Sequence, residues 1–450
     1  MTHVTFKQIQ ETYEKFLLLE DKDFIRLTYA TIIGNQMPGQ RPIWLMLVGP
    51  SSSGKTTALN AFNALELVNQ ISGEKVSPTH NISDLTENSF ASGMNRGDKQ
   101  TSLLHKIPYG GVMIFKDFTS MISKNEQSRM TIMGQLREIY DGAYVKRTGN
   151  GEDVLWTGKI GAIAGVTETI FQHMESMSAM GDRFVLYQVK QPDRVAVTKF
   201  KINKMMEGTT EYDIMPELKS MTQQYLQRAF DNMSKSEALK LDLSEEEIDE
   251  IVSVADFCTM VRSGMITDKY RNHISFVPTP EMPMRMFEQM HALAISFLYM
   301  RKMDNPKCDH KIAYEDFRVI YKIAFDSIPI VRRIALQYLT KYSLGVTTAN
   351  LARKINYESE VVSGWLTQLN SLGVVRREKA FSGGNLWILE PKFRTVMEKL
   401  SKTKSLNESL SDDDIPTGED NVEHHWDQAK KAEGEIDEQA TKEALANDDW

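Results

Sequence analysis

The sequence predicts an α/β core built on a parallel sheet, then a mostly helical region, a small module of helices and a hairpin, and an acidic tail. Three observations carry this reading. Short apolar runs alternate with helical stretches from Arg41 to about Gln191, the rhythm of parallel strands joined by helices. From about residue 200 to 345 the strand pattern is lost, with a proline-rich interruption at Val277–Pro283. From about Ile334 to Leu389 three helical stretches are followed by two short strands. The expected boundaries are a helical lead-in over 1–40, the α/β core over 41–195, a helical lid over 196–330, the helix-and-hairpin module over 331–400 and a disordered tail over 401–450.

Composition narrows the classes. The chain has 450 residues, 41% hydrophobic and 25% charged, enough to bury a sizeable core in two or three domains. It has no run of about twenty apolar residues, so no membrane span is expected. The start, from Met1 to Lys7, lacks the charged-then-apolar form of a signal peptide. Cys258 and Cys308 are the only cysteines, too few for a disulfide framework or a zinc cluster, so reduced thiols in the cytoplasm are expected. The net charge of −8 is unevenly placed. Ser411–Trp450 carries 14 Asp/Glu against 3 Lys, a balance of −11, which leaves +3 on the first 410 residues. A slightly basic body is compatible with nucleic acid without demanding it. The tail is too acidic and too poor in apolar residues to offset its ordering entropy. It reads as a flexible solubiliser, an autoinhibitory mimic of DNA or a peptide read by a partner.

The elements follow in order. Phe16, Leu17, Ile25, Leu27 and Ile32 recur at helical spacing before a break at Met37-Pro38-Gly39, a lead-in expected to pack on the core. Ile43–Val48 is an apolar run suited to a buried parallel strand, and Thr57–Phe62 reads as a helix. Between them Gly49, Pro50, Ser51, Ser52, Ser53, Gly54, Lys55 and Thr56 satisfy GxxxxGK[ST]. Glycines and small serines let backbone N–H groups converge on phosphates, and the helix start, with Thr57, adds positive potential. Lys55 is expected to reach the β- and γ-phosphates and the Thr56 hydroxyl to ligate Mg²⁺. The expected cofactors are ATP and Mg²⁺; the competing reading is an ordinary strand-to-helix turn.

Gly110–Phe115 then leads an apolar strand to Lys116-Asp117 at the same sheet edge. The ordinary motif ends in Asp-Glu, one acid on the metal and one polarising water. Two registers stay open: Asp117 on the metal side, or Asp117 as base with Lys116 replacing the metal-side acid. If a separate base exists, Glu168 is the first choice and Glu138 the second. An Asp capping the next helix is the plainer alternative. Leu136–Gly142 reads as the end of a helix, followed by a hairpin with a Gly149-Asn150-Gly151 tip and the strand Ile160–Thr167.

This order of parts resembles the AAA+ ATPases. More narrowly, it is similar to the group with a hairpin before the sensor strand, which includes enhancer-binding transcription activators and minichromosome-maintenance helicases. Gly142, Arg147 and Gly149 match the activators' hairpin spacing. The resemblance implies that Thr167 stands at the polar sensor of the γ-phosphate. It implies that Arg183, in Met180–Tyr187, is an arginine finger stabilising charge in a neighbouring subunit's site. It also implies that Arg285, opening a helix after Pro283, is the second sensor arginine, coupling lid angle to nucleotide state. An ordinary salt bridge competes for Arg183 and a helix-surface role for Arg285. The Met residues near Arg285 read as core and interface filler.

The module after 331 reads as a winged helix, with helices over Ile334–Ser343, Thr347–Ile355 (capped by Thr347) and Glu358–Leu372. The third is expected to have one apolar face of Val361, Val362, Trp365, Leu366 and Leu369. Its hairpin, Val374–Lys379 and Leu386–Leu389, is basic at Arg376, Arg377 and Lys379, which suits DNA phosphates. The exposed third-helix positions Glu358, Ser359, Glu360, Ser363, Thr367, Gln368 and Asn370 include two acids and no Lys or Arg, which weakens base reading and leaves protein docking open. The whole layout also looks like ATPases of phages and other mobile elements. It implies a hexameric, ring-forming, Mg²⁺-dependent ATPase acting on DNA or a DNA-bound protein, in helicase or remodeller fashion, with Lys146 and Arg147 at the phosphates. The alternative is an assembly switch in transcription or replication with slow or absent turnover, because Lys116-Asp117 breaks the acidic pair. A small-molecule kinase is the third class and leaves the winged helix without a role.

Overall fold

The computed structural model describes residues 3–69, 72–90, 102–147, 153–173, 183–190, 192–234, 241–264, 266–267, 274–277, 279–380 and 384–401. Two compact units divide the chain, one made of Met1–Thr259 with Met282–Ser327 and the other of Met260–Glu281 with Ile328–Trp450.

In the first unit, five strands form one parallel sheet, as the alternating apolar runs require. They are β1 (Trp44–Val48), β2 (Thr79–Ile82), β3 (Val112–Phe115), β4 (Gly161–Val166) and β5 (Val185–Gln188), in the order β2-β3-β4-β1-β5. Val48 is level with Val166 and Gln188, and Phe115 with Ala164, so β3, β4 and β1 deliver their carboxyl ends to one edge. β1 and β4 are buried along their whole length, which is why they read as unbroken apolar runs.

Among the described residues, the α-helices of six residues or more in this unit are α1 (Phe6–Glu14), α2 (Asp23–Gln36), α3 (Lys55–Asn60), α4 (Glu126–Tyr140), α5 (Arg194–Met206), α6 (Glu211–Ser234), α7 (Glu245–Arg262), which runs into the second unit, α8 (Met284–Asp304) and α9 (Tyr314–Asp326). Local chemistry sets their ends. Thr5 caps α1 in a reciprocal capping box with Gln8, and Asn125 caps α4 by accepting from Ser128 N–H. Gly142, at φ +89°, takes the left-handed turn that ends α4.

One sheet face packs on α4. Trp44, Met46, Val48, Met113, Phe115, Ala162 and Ala164 meet Ile132, Met133, Leu136, Ile139 and Tyr140 in a single apolar cluster. Trp44 lies at its centre, edge-on to Tyr140 at 5.3 Å and tilted against Phe184 at 5.0 Å, with its indole N–H donating to the Ile160 carbonyl at 2.8 Å. On α2, the buried Asn35 clamps the chain just before β1. Its Oδ1 accepts from Ile43 N–H at 3.0 Å and its Nδ2 donates to the Ile43 carbonyl at 3.1 Å. Helices α8 and α9, within the stretch read as a lid, belong to the same compact unit as the sheet. Gln289 of α8 accepts from Trp44 N–H at 2.9 Å. At the α9 end, Ser327 Oγ accepts from Leu186 N–H at 3.0 Å and Asp326 from Gln188 N–H at 2.8 Å. These bonds occupy β5 N–H groups that an open sheet edge would leave for another chain.

The second unit has α10 (Ile330–Lys341), β6 (Val346–Thr347), α11 (Thr348–Ile355), α12 (Ser359–Ser371), β7 (Val375–Lys379), β8 (Asn385–Leu389) and α13 (Pro391–Ser401). The three expected helices and the hairpin are present, with β6 and α13 in addition, and the sheet order is β6-β8-β7, antiparallel. Thr347 caps α11 through Asn350 N–H, as expected. The apolar face of α12 is narrower than expected. Val362, Leu366 and Leu369 are buried, Val361 is exposed, and Trp365 is half-buried edge-on to Tyr357 at 4.9 Å. Val361 lies about 100° around the helix from Val362, outside a stripe that one layer can bury. Ser363, Thr367, Gln368 and Asn370, expected to be exposed, are half-buried: Gln368 accepts from Arg332 at 3.1 Å and Asn370 donates to the Val375 carbonyl at 2.8 Å. No helix among the described residues is long and apolar enough to cross a membrane.

Candidate functional site

At the carboxyl edge of β1 the chain turns through Gly49–Gly54 into α3. Ser52 and Gly54 both have positive φ, +64° and +85°, on either side of Ser53. Such alternation turns successive N–H groups toward one side, the concavity that binds anions. Glycine takes this conformation at no steric cost, whereas Ser52 holds it at about 1–2 kcal/mol, a strain typical of ligand loops. The Lys55 ammonium lies inside the turn, donating to the Gly49 carbonyl at 2.7 Å, the Pro50 carbonyl at 2.9 Å and Ser53 Oγ at 2.7 Å. Its three donors are thus held by the loop itself.

The pocket in front of this turn measures about 450 Å³. Ser51, Ser52, Ser53, Gly54, Lys55, Thr56 and Thr57 line it from the loop and α3, Lys116, Asp117 and Thr119 from the end of β3, Gly165, Val166 and Thr167 from the end of β4, and Lys201 from α5. Gly49 and Pro50 contribute through the backbone carbonyls that hold Lys55. The strand order explains the convergence, because β4 lies between β3 and β1 and its terminal Thr167 falls between the acid and the loop. Gly165 permits the close fit: a Cβ there would sit 2.8 Å from the Lys116 carbonyl oxygen, and its own carbonyl accepts from Phe118 N–H at 2.9 Å.

Thr119 is the residue that motif reading missed. Its N–H donates to Asp117 Oδ1 at 3.0 Å and its hydroxyl accepts from Thr167 N–H at 3.2 Å, joining acid to sensor position. An Asp followed two residues later by a donor is the Asx-turn spacing that would have flagged it. Asp117 thus forms an Asx turn and not the helix cap that was its plainer reading, because the turn Thr119–Ile122 begins at Phe118 and has no side-chain cap. Lys201, on a helix more than eighty residues downstream, carried no sequence signal at all.

Burial sets the charge state of Lys55. Desolvation lowers its pKa to about 8, against the opposing pull of Glu168 and Asp117. Glu168 opens the 3₁₀ turn after Thr167 and acts on Lys55 without lining the pocket. Glu138 does not come to this place; it lies on α4, where its charge acts on Tyr144 of the hairpin. An anion bound at the loop restores the ordinary lysine pKa, so binding takes up a proton above about pH 8. Affinity for ATP should then fall about tenfold per pH unit from about pH 8 to 10. Titrations across that range would show this slope; a flat profile would contradict the buried lysine.

Two expected site arginines lie elsewhere. Arg183 immediately precedes Phe184 and β5, at the sheet edge opposite the loop. It is 5% exposed, donates to Asp141 at 2.7 Å and lies over the Tyr140 ring at 5.6 Å. Burial lowers its pKa, with the Asp141 bond opposing. Arg285 belongs to the same neighbourhood: its charge acts on Arg183 and Tyr140, and one turn on, Gln289 Nε2 donates to the Arg183 carbonyl at 3.1 Å. The cause is the Gln289 bond to Trp44 N–H, which pins the start of α8 to the beginning of β1 rather than its end. Neither arginine reaches the pocket of its own chain.

The basic groups lie on two hairpins. In that over Ala143–Arg147 and Asp153–Thr157, Tyr144 and Trp156 face the core and Lys146 donates to Asn88 at 2.7 Å, while Arg147 is exposed. Gly149 and Gly151 lie outside the described residues. In the second unit, Arg376, Arg377 and Lys379 of β7 are all exposed, with Arg376 3.0 Å from Glu378.

For a triphosphate the residues present fit: a strained N–H concavity, a buried ammonium and an open mouth. For Mg²⁺ the exposed Thr56 hydroxyl and the Asp117 carboxylate open into the same pocket, one carboxylate and one hydroxyl, with phosphate oxygens and water to complete six ligands. Comparison with protein-family models and with curated proteins gives no match for this chain.

Proposed function

We propose that the chain is a P-loop, AAA+-like ATPase acting on DNA or on a DNA-bound protein complex. The observation that carries the nucleotide reading is the Lys55 ammonium inside the Gly49–Gly54 turn, with Asp117 and Thr167 lining the same pocket. In this reading the turn's N–H groups and Lys55 bind the β- and γ-phosphates. Asp117 orients water or a Mg²⁺ shell, and Thr167, positioned through Thr119, hydrogen-bonds the γ-phosphate. Mg²⁺, held by Thr56 and Asp117, would neutralise charge developing on the phosphoryl oxygens. The chain would assemble into a ring, hexameric by resemblance, in which Arg183, buried against Asp141 and Tyr140, would brace its own subunit rather than project into a neighbour's site. The second unit would act as a winged helix, its β7 arginines with Lys146 and Arg147 meeting phosphates.

Lys116 beside Asp117 favours a second reading, an ATP-dependent assembly switch with turnover near background. DNA retention and ATP turnover, measured together, separate these. The first reading expects retention on DNA that weakens steeply with salt. Replacing Lys146 and Arg147 with alanine should flatten that salt dependence, by roughly 0.9 in slope for each phosphate no longer neutralised. Turnover indifferent to DNA, with no retention on single or double strands, would contradict it. Tight ATP binding without turnover, and assembly differing between ATP and ADP, would select the switch.

A further inference from the structure

The pocket is cationic beyond what Lys55 explains. Three lysines line it, Lys55, Lys116 and Lys201, against the single carboxylate of Asp117. Lys116 is the notable one. It is half-buried directly after β3, at the level of Gly165, one residue nearer the sheet than Asp117. Its ammonium has no hydrogen-bond or ion-pair partner among the described residues. A half-buried ammonium in a pocket it shares with Lys55 and Lys201 is unfavourable unless an anion completes the site. Thr56, a hydroxyl well placed for a metal, lines the same pocket.

We propose that Lys116 is a phosphate-binding residue whose ammonium does the charge-neutralising work of a divalent cation, so that the pocket holds a nucleoside triphosphate without magnesium. This rests on the nucleotide reading above and adds to it a distinct division of labour: the lysines secure binding, and any metal serves turnover alone. The Lys116-Asp117 pair is then a substitution of cation for metal-side acid rather than a damaged acidic pair.

Equilibrium binding of ATP to the full chain, by calorimetry in excess Mg²⁺ and in excess EDTA, tests this. Wild type should lose less than about tenfold in affinity on chelation. Lys116→Ala should lose about tenfold or more in EDTA, a charged hydrogen bond's worth, and less in Mg²⁺. Lys116→Asp should bind only with Mg²⁺, a gain of metal dependence that a misfolded variant would not show. Wild-type binding confined to Mg²⁺, or Lys116→Ala indistinguishable from wild type in EDTA, would overturn the proposal while leaving the nucleotide pocket standing. No binding of ATP in either buffer would overturn both.

Discussion

Replacing Lys55 with alanine should remove ATP binding, lowering affinity by at least about 100-fold and turnover to background. The size follows from the three donors on one buried nitrogen. They are held by the Gly49 and Pro50 carbonyls and by Ser53, and phosphate oxygens would replace some of these acceptors on binding. The same substitution should not lower the melting temperature of the free protein. Burial holds the folded pKa near 8, below the unfolded value of an ordinary lysine, so below pH 8 the folded state carries the cost of a desolvated cation. That cost is relieved as pH rises from about 8 to 10.5, and it vanishes in the variant. Calorimetry for affinity and thermal melting with and without ATP check both halves. A variant that melts early and binds weakly would mean that Lys55 is structural. A variant that keeps its stability and loses the ATP-induced shift would assign it to the ligand.

The largest effect on stability should come from Trp44→Ala, about 3–5 kcal/mol. No other side chain in the α4-facing cluster combines this volume with complete burial and a satisfied indole N–H. Truncation opens a cavity between Tyr140 and Phe184 and leaves the Ile160 carbonyl unpaired, at the strand that feeds Thr167 into the pocket. The urea midpoint should fall by about 1 M or more, and Trp44→Phe should recover most of the packing but not the hydrogen bond. A midpoint unchanged by Trp44→Ala would show that β1 is not the centre of the core.

What could be read from the chain, and what could not, follows from the range of the forces involved. The strand and loop from Ile43 to Thr56 were legible because burial pattern and turn chemistry are local. So were the Thr347 cap and the end of α4 at Gly142. Arg285 was not legible. Its place depends on Gln289 reaching Trp44 N–H across 245 residues of sequence, an interaction no periodicity announces. Arg183 shows the same limit, since a motif position says nothing of the Asp141 carboxylate that holds it. Lys201 enters the pocket through tertiary placement alone, whereas Thr119 carried a local signal in the Asx-turn spacing after Asp117. Val361 marks a smaller failure: an apolar residue next to a buried one looks like part of the face, although helical geometry turns it away.

The site that results is asymmetric in charge. Three lysines line the pocket against one carboxylate, and Thr119 hydrogen-bonds both Asp117 and Thr167. Under the proposed nucleotide reading such a pocket would favour holding a triphosphate over hydrolysing it quickly, which makes binding rather than rate the sharper observable.

The most direct measurement is a calorimetric titration of the intact chain with ATP, ADP, AMP and tripolyphosphate at pH 7. A phosphate-gripping turn predicts saturable, single-site binding that weakens from ATP to ADP, is absent for AMP and is blocked by tripolyphosphate. No heat with ATP or GTP, or an affinity for AMP equal to that for ATP, would contradict it.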